Sequence, residues 1–190
     1  MAAAYYLTHP QVVIDPAVPV KEWRLSAAGR SRAAAAARSA WARGVSRIVT
    51  SAERKAIETG AIVGQALGIV PERDARFDEN DRSATGFLPP DEFETVADAF
   101  FAEPAKSAFG WERAIDAQQR IAAAVDGILG DGTTGDILFV GHGAVGTLLL
   151  CHCAGLRIAR QHDQPAGGGN LFAFDIPSRG LIFGWRPAES

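Results

Sequence analysis

The chain has 190 residues, 47% hydrophobic and 22% charged, enough apolar material for one packed core and too much for extended disorder. Its formal net charge of -3 leaves no global electrostatic basis for gripping nucleic acid, so any affinity for phosphate has to be local. The opening Met1-Ala2-Ala3-Ala4-Tyr5-Tyr6 lacks the basic and apolar regions of a secretory leader, and no segment approaches the roughly 20 apolar residues that span a bilayer. A soluble cytoplasmic protein is expected, with no nucleic-acid or membrane partner.

Residues 4–8 read as a short buried strand, and the three prolines between His9 and Arg24 forbid a long regular element, predicting a substantial loop that faces the site. Ser26 is placed to cap a helix running through the alanine-rich residues 33–37 toward Trp41, with Gly44 as its stop. Residues 45–50 have strand character. Helical spacing through Ala56, Ile57, Ile62, Val63 and Leu67 predicts a helix over 53–67 that Gly68 ends. Residues 71–90 are polar and rich in breakers, and helices are expected at 91–101 and 111–129, so residues 78–111 read as a lid or specificity insertion. A strand at 136–140, a helix at 144–154 and a terminal hairpin of 170–176 with 181–185 complete the chain. Cys151 and Cys153 point to different faces of that helix, which suits reduced thiols better than a shared metal.

Strands alternating with helices predict an α/β fold, a three-layer α/β/α sandwich on a mainly parallel sheet, as one domain over residues 1–190. Ligands of such sheets gather beyond the carboxyl ends of strands, where His9, residues 51–55 and His142 all fall. A neutral imidazole there can attack phosphorus, splitting hydrolysis into transfer to nitrogen and then to water. Gly141-His142-Gly143-Ala144-Val145-Gly146 also spells a formal dinucleotide fingerprint, with Asp163 about twenty residues on, so a dinucleotide-binding protein is a remote alternative. The run Gly167-Gly168-Gly169-Asn170 reads as a flexible connection. No HExxH, CxxC or Walker A pattern occurs, so neither a metal nor a cofactor is implied.

Several segments resemble, in order, the histidine phosphatase superfamily, also called phosphoglycerate-mutase-like. Tyr6-Leu7-Thr8-His9-Pro10-Gln11 resembles its opening Arg-His-Gly signature, with Thr8 in place of the arginine that clamps phosphate. Leu25-Ser26-Ala27-Ala28-Gly29 resembles its helix-opening Leu-Ser/Thr-x-x-Gly. Thr50-Ser51-Ala52-Glu53-Arg54-Lys55-Ala56-Ile57-Glu58-Thr59 resembles Ser-Ser-Pro-Leu-x-Arg-Ala-x-x-Thr, with Lys55 in the place of the phosphate-binding arginine. Arg54 is its possible replacement. Arg76-Phe77-Asp78-Glu79-Asn80-Asp81-Arg82 resembles the segment carrying the proton donor, and Gly135-Asp136-Ile137-Leu138-Phe139-Val140-Gly141-His142-Gly143-Ala144 the second-histidine block.

The resemblance implies a metal-independent phosphomonoester hydrolase. His9 would be the nucleophile, Glu79 the acid with Asp78 and Asp81 as rivals, and His142 the partner across the phosphate. Thr8, Arg54, Lys55 and the Gly143 backbone would contact phosphate oxygens. The substrate would be a phosphorylated small molecule or phosphopeptide. A phosphoglycerate-type mutase remains an alternative, as does a catalytically weakened phosphate-binding or interaction module, which the losses at positions 8 and 55 motivate.

Overall fold

The computed structural model describes residues 2–132 and 134–190. Its strands are β1 (Ala3–Thr8), β2 (Val45–Thr50), β3 (Glu72–Arg73), β4 (Asp136–Gly141), β5 (Asn170–Asp175) and β6 (Leu181–Pro187). They form one six-stranded sheet in the order β3-β2-β4-β1-β5-β6. The first four in that order run parallel and the terminal hairpin adds antiparallel pairs, as the alternation of elements predicts.

Period-two alternation divides the strands between two cores. Leu7, Leu138, Val140 and Leu171 meet one helical layer, α1 (Ala27–Ala36) and α2 (Arg54–Leu67), through Ala36, Ala56 and Val63. Helix α3 (Pro90–Ala102) packs Phe100 and Phe101 into a satellite cluster with Trp111. On the opposite face Tyr6, Ile137, Phe139 and Phe172 meet α4 (Ala114–Gly130) and α5 (Gly143–Ala154) through Ile121, Val125 and Leu149. Among the described residues no helix is long and apolar enough to cross a membrane. Both cysteines are free thiols, Cys151 buried and Cys153 partly so.

Register decides where the site lies. Thr8 pairs with Gly141 and Thr50 with Val140, so β1, β2 and β4 end at one edge of the sheet. Strand β5 starts there, because it runs antiparallel to β1 with Leu7 opposite Leu171.

Two local features depart from the expected pattern. Helix α1 stops at Ala36 and a 3-10 turn, Ala40–Gly44, follows. Ser39 Oγ and Trp41 Nε1 both donate to the Ala188 carbonyl, at 3.0 and 2.8 Å, and residues two apart on a continued helix could not reach one acceptor. Strand β3 lies in the polar stretch and was invisible to pattern, since both of its residues are exposed and it is an edge. Just beyond it Phe77 is buried and stacks on Phe139 at 5.1 Å, an anchor worth about 1.5–3 kcal/mol. Arg120 of α4 donates to the carbonyls of Arg76 and Asp78 at 2.8 and 2.9 Å, which fixes the backbone leading to Glu79.

Candidate active site

His9 follows β1 and His142 caps the start of α5, and their rings stand 5.3 Å apart between centroids. His9 Nδ1 lies 2.9 Å from the Pro10 carbonyl. A carbonyl only accepts, so Nδ1 carries the proton and Nε2 keeps its lone pair. Burial, followed by the nearby Lys55 charge, lowers the His9 pKa to about 4, leaving the ring neutral at pH 7. The glycine run, far from a flexible connection, is a built turn against this residue. Gly169 N donates to the His9 carbonyl at 3.1 Å, and a Cβ on Gly168 would lie 2.3 Å from the same oxygen. Arg32 ties the run down through the Gly167 and Gly168 carbonyls.

His142 is fully buried, with Nε2 2.8 Å from Ser51 Oγ. The Ser51 hydroxyl has one proton and gives it to Asp78 Oδ1 at 2.7 Å, so the imidazole must donate to Ser51. Burial holds His142 well below its usual pKa, and its Nδ1 has no partner among the described residues. Tyr6 pins the backbone of this histidine: its hydroxyl accepts from His142 N at 3.0 Å and donates to His142 O at 3.2 Å. Tyr6→Phe would leave that amide buried without an acceptor, and a loss of about 1–3 kcal/mol in urea unfolding is expected. A change within about 0.5 kcal/mol would show that the pair of bonds contributes nothing.

The glycines of the formal dinucleotide fingerprint are explained by the same packing. A Cβ at Gly141 would stand 2.2 Å from Tyr6 Oη, one at Gly146 2.5 Å from Tyr6 Cε1, and one at Gly143 2.4 Å from Gln164 Nε2. They make room for side chains of this chain, not for a pyrophosphate. The strand that follows is antiparallel, which removes the second Rossmann strand as well.

Glu79 binds the opening turn of α5. Its Oε1 accepts from Val145 N at 3.0 Å and Asn80 N at 3.2 Å, and its Oε2 from Ala144 N at 3.3 Å. Burial nevertheless raises its pKa, against the pull of Arg82 and these amides. Its sequence rivals are differently employed. Asp78 accepts from Ser51 and from Ala52 N, and Asp81 is an exposed carboxylate held low chiefly by the Ser83 amide. Two cavities meet at Glu79. One, of about 500 Å³, contains His9 and Gly143, and the other, of about 900 Å³, is walled by Ile14, Trp23, Phe87 and Leu88. The proline-rich loop after His9 therefore does face the site.

The basic candidates are placed less directly. Lys55 Nζ is buried and donates to the Glu53 carboxylate and to the Val20 carbonyl. Glu53 also accepts from Glu79 N at 3.2 Å and sits 3.8 Å from His142 Nε2. Burial would raise the Glu53 carboxyl, but His142 and Lys55 overcome it and bring it to about 2. The Lys55 charge is thus offset by Glu53, two residues before it in sequence. Arg54 turns outward to Glu58 at 3.0 Å and lines neither cavity. Thr8 Oγ1 donates to Gln164 Oε1 at 2.7 Å and accepts from Asn170 N at 3.0 Å, holding the start of β5. The structure brings His9, Glu79, His142 and Gly143 together, sets Lys55 behind Glu53, and leaves Thr8 and Arg54 outside the cavities. Sequence reasoning missed Ser51, Glu53 and Arg82. A charge at the position of the family segment's leucine was the available signal for Glu53.

A sequence model of the histidine phosphatase superfamily (branch 1) matches residues 18–176, beginning after His9. No curated protein matches the chain. The structure is similar to a mycobacterial glucosyl-3-phosphoglycerate phosphatase in complex with inorganic phosphate, with a TM-score of 0.82 and 21% identity over 100% of both chains. It is equally similar to YhfR of Bacillus stearothermophilus, with a TM-score of 0.83 and 20% identity over 100% of both chains. At these identities the solved structures show a shared fold, and the sequence match supplies the membership: the chain belongs to the histidine phosphatase superfamily.

Proposed function

We propose that this protein is a phosphomonoester hydrolase working through a phosphohistidine on His9. One observation carries the reading. The Pro10 carbonyl fixes the His9 proton on Nδ1, so an unprotonated Nε2 remains beside His142 and within the cavity that Glu79 lines. Nε2 attacks phosphorus as the ester P–O bond breaks, Glu79 gives its proton to the leaving alkoxide, and water then cleaves the P–N bond with Glu79 recovering a proton. The raised pKa of Glu79 favours the protonated form that the first step needs. None of these steps requires a metal ion.

The larger cavity bears on the leaving alcohol. Its walls include Trp23 and Phe87, whose rings are 5.8 Å apart, and it opens onto Glu79. Apolar lining of this kind favours alcohols with an aromatic or aliphatic body. Quenched incubation with a panel of labelled phosphomonoesters tests the whole reading. Label on His9, with kcat/KM higher for naphthyl than for sugar phosphates, is expected. Turnover without any phosphoenzyme would overturn the covalent route.

A second reading has its own support. Thr8 is neutral and the Lys55 charge is offset, so a phosphate-binding module with little turnover fits the same pocket. A mutase is less well served, because it must hold two phosphoryl groups with this reduced set of cations.

A further inference from the structure

We infer that Arg82, with the amide of Asn80 beside it, forms the clamp for the phosphoryl oxygens, supplying the charge that Thr8 cannot. The inference rests on the phosphoryl-transfer reading above and names the residues that hold the transferred group.

Two other cations near His9 are already engaged. Lys55 is bonded to Glu53, and Arg160, which lines the His9 cavity, lies against Glu94, Asp98 and Asp163. Arg82 lines both cavities, yet among the described residues its guanidinium makes no hydrogen bond or ion pair. It rests only on the faces of Phe93 and Trp111, at 5.2 and 5.5 Å. Ring faces satisfy part of a guanidinium's charge but none of its N–H donors, which remain available for the planar oxygen pairs that an arginine binds best.

Asn80 is the independent observation. It is 3% exposed and lines both cavities, and neither Nδ2 nor Oδ1 has a partner among the described residues. A buried amide with both ends unpaired costs stability unless a ligand completes it. Its Nδ2 can donate to a phosphoryl oxygen and its Oδ1 can accept from a protonated one. Burial is the main influence on His9, His142 and Glu79, but the Arg82 charge enters the balance at all three, opposing a proton on either ring and favouring ionised Glu79. Its field therefore reaches the point where the phosphoryl group would sit.

Inorganic phosphate and vanadate carry no other recognisable group, so calorimetric binding of each isolates this subsite from any contact with a leaving alcohol. Arg82→Gln is expected to weaken both by roughly 10- to 150-fold, the range of a charge-assisted hydrogen bond, and Asn80→Ala to weaken them by roughly 5- to 10-fold. Arg82→Lys should retain part of the affinity. Arg160→Gln, which removes a charge already held by carboxylates, should stay within about 3-fold of the wild type. A purely structural role for the stack on Phe93 and Trp111 would lower Tm in Arg82→Gln without moving either affinity, and that result overturns the clamp. So does a larger loss in Arg160→Gln. Wild type that binds both anions through Arg82 yet turns over no phosphomonoester would keep the clamp and discard the hydrolase. Turnover with wild-type anion affinity in Arg82→Gln would do the reverse.

Discussion

His9→Ala is expected to lower phosphomonoester turnover by at least about 10³-fold and to remove acid-labile, base-stable phosphate from the protein. The size follows from what the variant lacks. Without Nε2 there is no covalent intermediate, and water must attack directly in a pocket whose carboxylic acid, on the proposed mechanism, serves the leaving group. The substitution should be gentle on the fold, because His9 is half-buried and its one side-chain bond, to the Pro10 carbonyl, is local. Its backbone still takes the Gly141 carbonyl and still accepts from Gly169. Unfolding midpoints within about 3 °C of the wild type, together with lost label, would assign the defect to chemistry. Label and turnover persisting in the variant would exclude His9 as the nucleophile.

The fold was legible because its signals are local and repeated. The apolar strands at residues 4–8 and 136–140, the Ser26 cap and the left-handed Gly68 all appear in the structure where patterning puts them. The two histidines and Glu79 could be placed from sequence because each follows a strand end or a recognisable segment. What could not be read is how charges are spent. Whether Lys55 is free or answered depends on Glu53 turning inward beside it, and helical spacing does not distinguish that from a solvated pair. Nothing in the sequence around Arg82 separates it from a surface partner of Asp78, Glu79 and Asp81. Only the assembled α3 and the chain around Trp111 show that its guanidinium lies on two ring faces instead. The glycines at 141 and 146, which carried the remote dinucleotide alternative, could not be explained from sequence for a related reason, since the ring that fills their space comes from Tyr6, more than a hundred residues away in sequence.

Glu79→Gln separates acid chemistry from binding by its dependence on the leaving group. An alkoxide must be protonated as it departs, so alkyl phosphates should lose roughly 10²- to 10⁴-fold in kcat/KM. Nitrophenolate leaves without help, and the same variant should lose no more than about 5-fold on its ester. The pH profiles should carry the same contrast. On the acid side, activity of the wild type falls as His9 is protonated, with a midpoint at about 4. On the alkaline side it falls as Glu79 loses its proton, and because burial raises that pKa the loss begins above the usual carboxylate range. Glutamine has no proton to lose there, so the alkaline limb with an alkyl ester should vanish while the acid limb stays. Equal losses on both ester types, with an unchanged alkaline limb, would make Glu79 a cap for α5 rather than the acid. The three amides that it accepts show why that outcome must be tested. In that case Asp78→Asn and Asp81→Asn become the informative variants. Asp78→Asn keeps an oxygen that can accept from Ser51 but removes the charge at the end of the chain from His142 through Ser51, so a leaving-group contrast confined to Asp81→Asn would identify a replacement acid most cleanly.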